Sequence, residues 1–408
     1  MINTLKKVRF ASKNLLELNP EIKKNIILDM SEQILKYSKD IIKANKIDMQ
    51  NASNLSKAMQ DRLMLDEKRI NNISQSLKTV ANLQDPIGNI LDGWVNYAGL
   101  KISKISIPIG VIGIIYESRP NVTAEVASLC LKSSNVCVLK GGKEAINSNL
   151  AIIKALHSSL EKFNIPKECI SYLDISRDEI KKFLKMDKFI DLIIPRGGES
   201  LVKMVSKNST IPVIKHDKGL CHAYVDEFAN LQKALEICIN AKFSRPSACN
   251  AVETILVHKN ISSEFLPLLK ARFNELNINI KGCKKTNKII ECEKATYKDF
   301  NTEYLDYKAN LKIVSSIDEA LNHINKFSSS HSEVIISQNE ENIQKFLNLV
   351  DSSCVYVNAS TRFSDGGEFG FGAEIGISTN KLHARGPMGL KELTTYKYQI
   401  IGNGQVRD

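Results

Sequence analysis

Ile107-Pro108-Ile109-Gly110-Val111-Ile112-Gly113-Ile114-Ile115-Tyr116, followed by Glu117-Ser118-Arg119-Pro120-Asn121, is where the chain changes character. The apolar, β-branched run reads as a strand buried on both faces, and Arg119-Pro120-Asn121 ends it. Val122 to Leu131 then reads as a helix with Ala-rich packing. The alternation continues through strand 136–139, loop Lys140-Gly141-Gly142, helix 144–162, strand 170–173, helix 178–185 and strand 189–194. Loop Pro195-Arg196-Gly197-Gly198, helix 199–206 and a short strand Ile211 to Ile214 complete it. Strands alternating with helices predict an α/β fold with a parallel sheet covered on both faces. Such sheets bind ligands at the carboxyl ends of their strands, where Asn121, Lys140 and Arg196 fall.

Upstream, residues 1–93 read as helical, with apolar positions at helical spacing in Ile22, Ile26, Ile27, Met30, Ile34 and Leu35 and again in Ile70, Ile73, Leu77 and Val80. Downstream, a second α/β region runs from about 226 to 354. Strand 354–357 leads into Asp365-Gly366-Gly367-Glu368-Phe369-Gly370-Phe371-Gly372, a glycine density that marks a tight turn or backbone approaching a ligand. Leu393 to Ile401, rich in Thr, Tyr and Ile, reads as a strand.

The 408 residues hold 43% hydrophobic residues with 20 Gly and 10 Pro, which fits two or three globular domains and excludes disorder or a collagen-like repeat. The apolar run from Ile105 to Tyr116 is far below the roughly 20 residues of a spanning helix, so no membrane span is expected. Lys6, Lys7, Arg9, Lys13 and Glu17 break up any apolar leader core. Nine cysteines without a CxxC pair predict free thiols in the cytoplasm, with neither a disulfide framework nor a metal site. The net charge of +11 raises a nucleic-acid reading, but 45 of the 56 basic residues are Lys and aromatic residues make up only 6%. Scattered Lys is a solvated face, and no nucleic-acid partner is expected. The few Arg are more informative: Arg119, Arg196, Arg245, Arg362 and Arg385 sit beside Pro or in Gly-rich or short polar stretches, suited to bidentate work on carboxylate or phosphate.

No GxGxxG follows the first strand. Lys140-Gly141-Gly142-Lys143 and Arg196-Gly197-Gly198 are two other strand-to-loop junctions that could present N–H groups and a cation to phosphate; Gly-Gly there is also a common turn. Cys249 stands apart from the other cysteines. It lies in Phe243-Ser244-Arg245-Pro246-Ser247-Ala248-Cys249-Asn250, between a helix and a strand, near a cation and with small neighbours that leave an acyl group room.

The stretches Arg245 to Thr254, Tyr116 to Thr123 and Asn358-Ala359-Ser360-Thr361-Arg362-Phe363-Ser364-Asp365-Gly366 resemble the gamma-glutamyl phosphate reductase family of the aldehyde dehydrogenase superfamily, over nearly the whole chain. The resemblance implies an aldehyde dehydrogenase-like fold with two Rossmann-like parallel-sheet domains and a small β-hairpin oligomerisation element. It divides the chain into a cofactor-binding domain (1–93, 107–225 and 358–385), a catalytic domain (226–357) and oligomerisation strands (94–106 and 386–408). It implies Cys249 as the nucleophile and Asn121, with the Cys249 N–H, as the oxyanion hole, although Asn121 could also cap the following helix. Lys140 matches the lysine on the adenosine ribose, and Lys143 stands where NAD-preferring members carry Glu, which favours NADPH over NADH. Gly141, Gly142, Arg196, Gly197, Gly198 and Glu303 complete the expected cofactor set; Arg245, Ser360, Thr361 and Arg362 are the expected substrate set, with turn capping the alternative for Ser360 and Thr361.

The implied activity is NADPH-dependent reduction of L-glutamyl 5-phosphate to L-glutamate 5-semialdehyde and phosphate, the second step of proline biosynthesis. It proceeds through a Cys249 thioester whose thiol is activated by cationic or helix-terminus neighbours. Functional coupling to glutamate 5-kinase and a homo-oligomer follow from the same resemblance. The segment Lys218-Gly219-Leu220-Cys221-His222-Ala223 lacks the water-activating Glu of acid-forming relatives, so hydrolysis of the thioester should be slow; an acid-forming NAD(P)-dependent aldehyde dehydrogenase is the alternative. His216, His222, His331 and His383 lie near motif loops and are read as structural, since hydride transfer needs no histidine base.

Overall fold

In the computed structural model, which describes residues 1–215 and 218–407, the chain opens with helices α1 (Ile2–Leu16), α2 (Pro20–Lys36), α3 (Ser38–Asn51), α4 (Lys57–Leu63) and α5 (Glu67–Asn82). Asn19 caps α2 by accepting the Ile22 N–H at 2.8 Å, and Asp66 caps α5 through the Arg69 N–H at 2.7 Å. Both satisfy donors that a helix start leaves unpaired. Ile26, Ile27, Met30 and Ile34 of α2 and Ile70, Ile73, Leu77 and Val80 of α5 are buried in one core with the first parallel sheet.

The run read as one strand from Ile107 is two. β1 (Ile90–Val95) and β2 (Lys101–Pro108) form an antiparallel hairpin, while β3 (Val111–Tyr116) begins the parallel sheet. Pro108 has no N–H with which to continue the ladder. Gly110 then turns the chain at φ +128, where a Cβ would overlap the Asp191 carboxylate that accepts the Val111 N–H at 2.8 Å.

α6 (Pro120–Lys132), β4 (Val136–Lys140), α7 (Ile146–Lys162), β5 (Ile170–Tyr172), α8 (Arg177–Phe183), β6 (Leu192–Arg196) and α9 (Glu199–Asn208) complete this unit, with parallel strands in the order β5-β4-β3-β6. The expected strand at Ile211 to Ile214 is a single parallel bridge between Ile193 and Val213. Pro212 interrupts it for the same reason as Pro108.

The second sheet is built from β7 (Cys221–Val225), α10 (Leu231–Phe243), β8 (Val252–His258), α11 (Ser262–Glu275), β9 (Asn279–Gly282), β10 (Glu293–Lys294), α12 (Tyr297–Phe300), β11 (Lys308–Val314), α13 (Ile317–Phe327), β12 (Ser332–Ile336), α14 (Glu340–Leu349) and β13 (Cys354–Val357). Its parallel order is β10-β9-β11-β8-β7-β12-β13. β7 lies between β8 and β12, so residues 221–225, placed from sequence at the end of the cofactor-binding segment, belong by hydrogen bonding to the second sheet. β14 (Gly376–Ser378) and β15 (Gly386–Met388) form a separate antiparallel ribbon, so 386–388 do not share a sheet with 94–106. β16 (Thr394–Ile401) returns to pair with β2 along its whole length. Among the described residues no helix is long and apolar enough to cross a membrane.

Candidate active site

Cys249 sits in the turn that joins α10 to β8. The Ala248 and Ala251 N–H groups fold the turn onto the Arg245 and Ala248 carbonyls at 3.1 and 3.0 Å. Two further segments clamp it. Cys221 Sγ, at the start of β7, donates to the Cys249 carbonyl at 3.2 Å, and a Cβ at Gly219 would overlap that same carbonyl. From the other side, Thr361 Oγ1 donates to the Asn250 carbonyl at 2.6 Å and Asn250 Nδ2 donates to the Arg362 carbonyl at 3.3 Å. Ser360 Oγ accepts the Arg362 N–H at 3.3 Å. The hydroxyls of Ser360 and Thr361 are thus engaged with backbone, as turn caps and braces are.

Arginines converge on the thiol. Arg196 is the cation that most favours the Cys249 thiolate, whereas Glu374 and Glu303 oppose it. Burial outweighs Arg196 and pushes the thiol up to about 11, the reverse of the lowered value expected from sequence. Burial, with the like charges of Arg196, Arg62 and Arg245, brings Arg119 down to about 10, while Cys249 acts against them. Arg362 is lowered by burial and by Arg245, while its Nε donates to Ser244 Oγ at 3.2 Å.

Asn121 occupies the first turn of α6, but Arg119 is the N-cap residue and Asn121 makes no cap. Its Nδ2 donates instead to Glu125 Oε2, one turn on, at 3.1 Å. One amide hydrogen is thereby fixed and the other is free to point elsewhere. Burial pushes the Glu125 and Glu374 carboxyls up, with Arg196 acting against it in both.

The two glycine loops lie at the ends of β4 and β6. Lys140 is buried, its Nζ donating to the Gly141 carbonyl at 2.5 Å, while Lys143 is exposed. Each loop already holds a carboxylate. Glu144 accepts both the N–H and the Oγ of Ser118 at 2.8 Å and fills the space a Cβ at Gly142 would take. Glu117 accepts the Gly198 N–H, at the start of α9, at 2.8 Å and fills the space beside Gly197. Glu303 accepts the Gly219 N–H at 2.9 Å, beneath the segment that packs on Cys249.

These elements recur in known proteins. The aldehyde dehydrogenase family model matches residues 9–289. The gamma-glutamyl phosphate reductase of Nautilia profundicola is 54% identical, covering 100% of both chains, and that of Sulfurimonas denitrificans is 54% identical, covering 99% of each. A crystal structure of the Thermotoga maritima gamma-glutamyl phosphate reductase superposes with a TM-score of 0.98 at 44% identity, covering 100% of this chain and 99% of that one. The chain belongs to the gamma-glutamyl phosphate reductases of the aldehyde dehydrogenase family.

In a reductase of this family a nicotinamide dinucleotide is implied, and the loops fit one. The Gly198 N–H at the start of α9 is a donor of the kind that receives a phosphate oxygen, and Glu117 holds it in this structure. Sequence reasoning missed Glu125, Glu374, Arg62 and the placement of Arg119 beside the thiol. A carboxylate four residues after Asn121 was the one readable signal, being the spacing of one helical turn. The histidines of the reductase have local partners: His222 Nδ1 lies 3.2 Å from buried Glu333, His331 Nδ1 2.9 Å from Ser332 Oγ, and His383 Nε2 3.0 Å from the Glu392 carbonyl. His216 lies outside the described residues. No cluster of potential metal ligands occurs among the described residues.

Proposed function

We propose that the protein reduces L-glutamyl 5-phosphate to L-glutamate 5-semialdehyde and phosphate through a thioester on Cys249, with NADPH as the reductant, in proline biosynthesis. The observation that carries this reading is the half-buried Cys249 thiol, which interacts electrostatically with Arg196, Arg119 and Arg362 and has Arg245 on its own turn, with Asn121 at the start of α6. A substrate with phosphate at one end and a carboxylate at the other needs such a ring; a neutral aldehyde does not.

Cys249 Sγ attacks the acyl carbon and the C–O bond to phosphate breaks, the electron pair leaving on the phosphate oxygen together with the thiol proton. The second Asn121 amide hydrogen, the one not held by Glu125, stabilises the negative charge that develops on the acyl oxygen. Bound NADPH supplies the hydride that, with a proton, converts the thioester into aldehyde and free thiol. Lys140, Gly141, Gly142, Gly197, Gly198 and Glu303 form the surface that would hold it, and exposed Lys143 offers a cation to a 2′-phosphate. Arg245 and Arg362 are assigned to the α-carboxylate. Ser360 and Thr361 are assigned to bracing the Cys249 turn.

The glutamate semialdehyde substrate, supplied with NADP⁺, tests the reaction in reverse. Reduction of NADP⁺ is expected only when inorganic phosphate is present, with NAD⁺ a poorer acceptor, and Cys249→Ala is expected to abolish it. Phosphate-independent formation of glutamate would instead establish an acid-forming enzyme. The nine free thiols fit a reducing cytoplasm, and the acyl phosphate must come from a kinase acting on glutamate. The antiparallel sheet β1-β2-β16 carries Trp94, Val95, Tyr398 and Ile400 exposed, and we assign it to pairing with a second copy of the chain.

A further inference from the structure

We propose that Arg196, with Arg119 beside it, holds the phosphate that Cys249 expels, so that the loop at the end of β6 is divided between two ligands: Arg196 serves the acyl phosphate, Gly197 and Gly198 the cofactor. This rests on the reaction proposed above and replaces the sequence assignment of Arg196 to the cofactor.

Arg196 is placed by the ladder. It pairs with Tyr116 across β3 and β6, and its carbonyl accepts the Glu117 N–H at 3.1 Å. Its side chain therefore starts beside the turn that presents Arg119 and Asn121. The guanidinium lies against Gly376, its Nη1 2.8 Å from where a Cβ would be, at a position whose φ of +153 favours glycine. The Nε atom is buried and has no hydrogen-bond partner. Arg196 as a residue is half-buried, and with Nε unpaired no protein acceptor ties that edge of the guanidinium down, so its donors can be turned to an anion. Its charge acts on Cys249, Glu125, Glu374 and Arg119.

The other arginines divide by the same logic. Arg362 is tied through Nε to Ser244 and its backbone to Asn250, on the Cys249 turn itself, and Arg245 is exposed at the same turn. They suit the end of the substrate that does not react. When the C–O bond breaks, the electron pair settles on the phosphate oxygen, and a fixed guanidinium stabilises that growing charge without reorganising.

Steady-state kinetics in the reverse direction test the assignment, with Arg196→Gln and the charge-preserving Arg196→Lys. Arg196→Gln is expected to raise the KM for phosphate roughly tenfold to a hundredfold, the cost of one charge-assisted pair. The KM for NADP⁺ should stay within about twofold, and Arg196→Lys should fall between the variant and the wild type. A second readout needs no turnover: inorganic phosphate should protect Cys249 from iodoacetamide in the wild type and not in Arg196→Gln. A raised KM for NADP⁺ with an unchanged KM for phosphate, or full protection by phosphate in Arg196→Gln, overturns the proposal. A wild type without phosphate-dependent reduction but with Arg196-dependent protection overturns the reaction and leaves the phosphate site standing.

Discussion

Cys249 is subject to two opposed influences, burial that favours the thiol and Arg196 that favours the thiolate, and burial prevails. With its proton held to about 11, the free residue is almost wholly protonated at neutral pH. The thiolate fraction rises as pH rises toward that value, about tenfold per unit below it. Alkylation of Cys249 by iodoacetamide is therefore expected to climb log-linearly from pH 7 to 10 with no plateau near 8. A plateau there would show the thiol to be activated in the free protein. Cys249 and Asn121 are singled out in the sequence because long motifs surround them. The pairing of Asn121 with Glu125 was half legible, from spacing alone. The gathering of Arg119, Arg196, Arg245 and Arg362 was not, because the four come from three connections and one turn far apart in sequence, and only tertiary packing brings them to one thiol. The lowered thiol pKa expected from sequence failed for the same reason: cationic neighbours can be counted in a motif, whereas the depth of burial cannot.

Among the elements, the junction of α10 and β8 depends on one buried ion pair. Lys242 Nζ, at the last turn of α10, donates to Glu253 Oε2 at 2.8 Å, and the Leu305 N–H reaches Glu253 Oε1 at 3.3 Å. The pair thus connects the helix before Cys249, the strand after it and the segment that carries Glu303. Lys242→Met leaves a carboxylate buried without its cation and is expected to destabilise the fold by about 3–5 kcal/mol in urea denaturation. Replacing both residues, Lys242→Met with Glu253→Leu, should recover most of that loss, since no unpaired charge remains. An equal loss in single and double variants would show packing, and not charge, to be at stake. Period and punctuation revealed most of the strands and helices, with β13 read to the residue. The continuous apolar run from Ile107 hid a change of sheet, because a strand leaving one sheet and a strand entering another look alike until Gly110 is seen to be turned. β7 was missed because Cys221 and His222 interrupt its apolar pattern, His222 being accommodated by Glu333 from β12.

For the molecule as a whole, alternation of strand and helix was enough to predict two parallel α/β units, while strand order and the central place of β7 had to come from the structure. The same holds for the third sheet, whose exposed residues include Trp94 packed edge-on against Tyr398 and Ile400 60% exposed beyond them. Ile400→Glu combined with Val95→Glu is expected to reduce the mass in light scattering to that of a single chain while leaving the thermal unfolding of the two parallel-sheet units in place. An unchanged mass would remove this sheet from the assembly. The ring of guanidiniums has a meaning beyond catalysis. With Arg62 added from α4, the site gathers like charges that add to burial in lowering the proton affinity of Arg119. A phosphate held at the proposed Arg196–Arg119 site would offset these charges and stabilise the native state by mass action, a conditional part of the fold as well as a reactant.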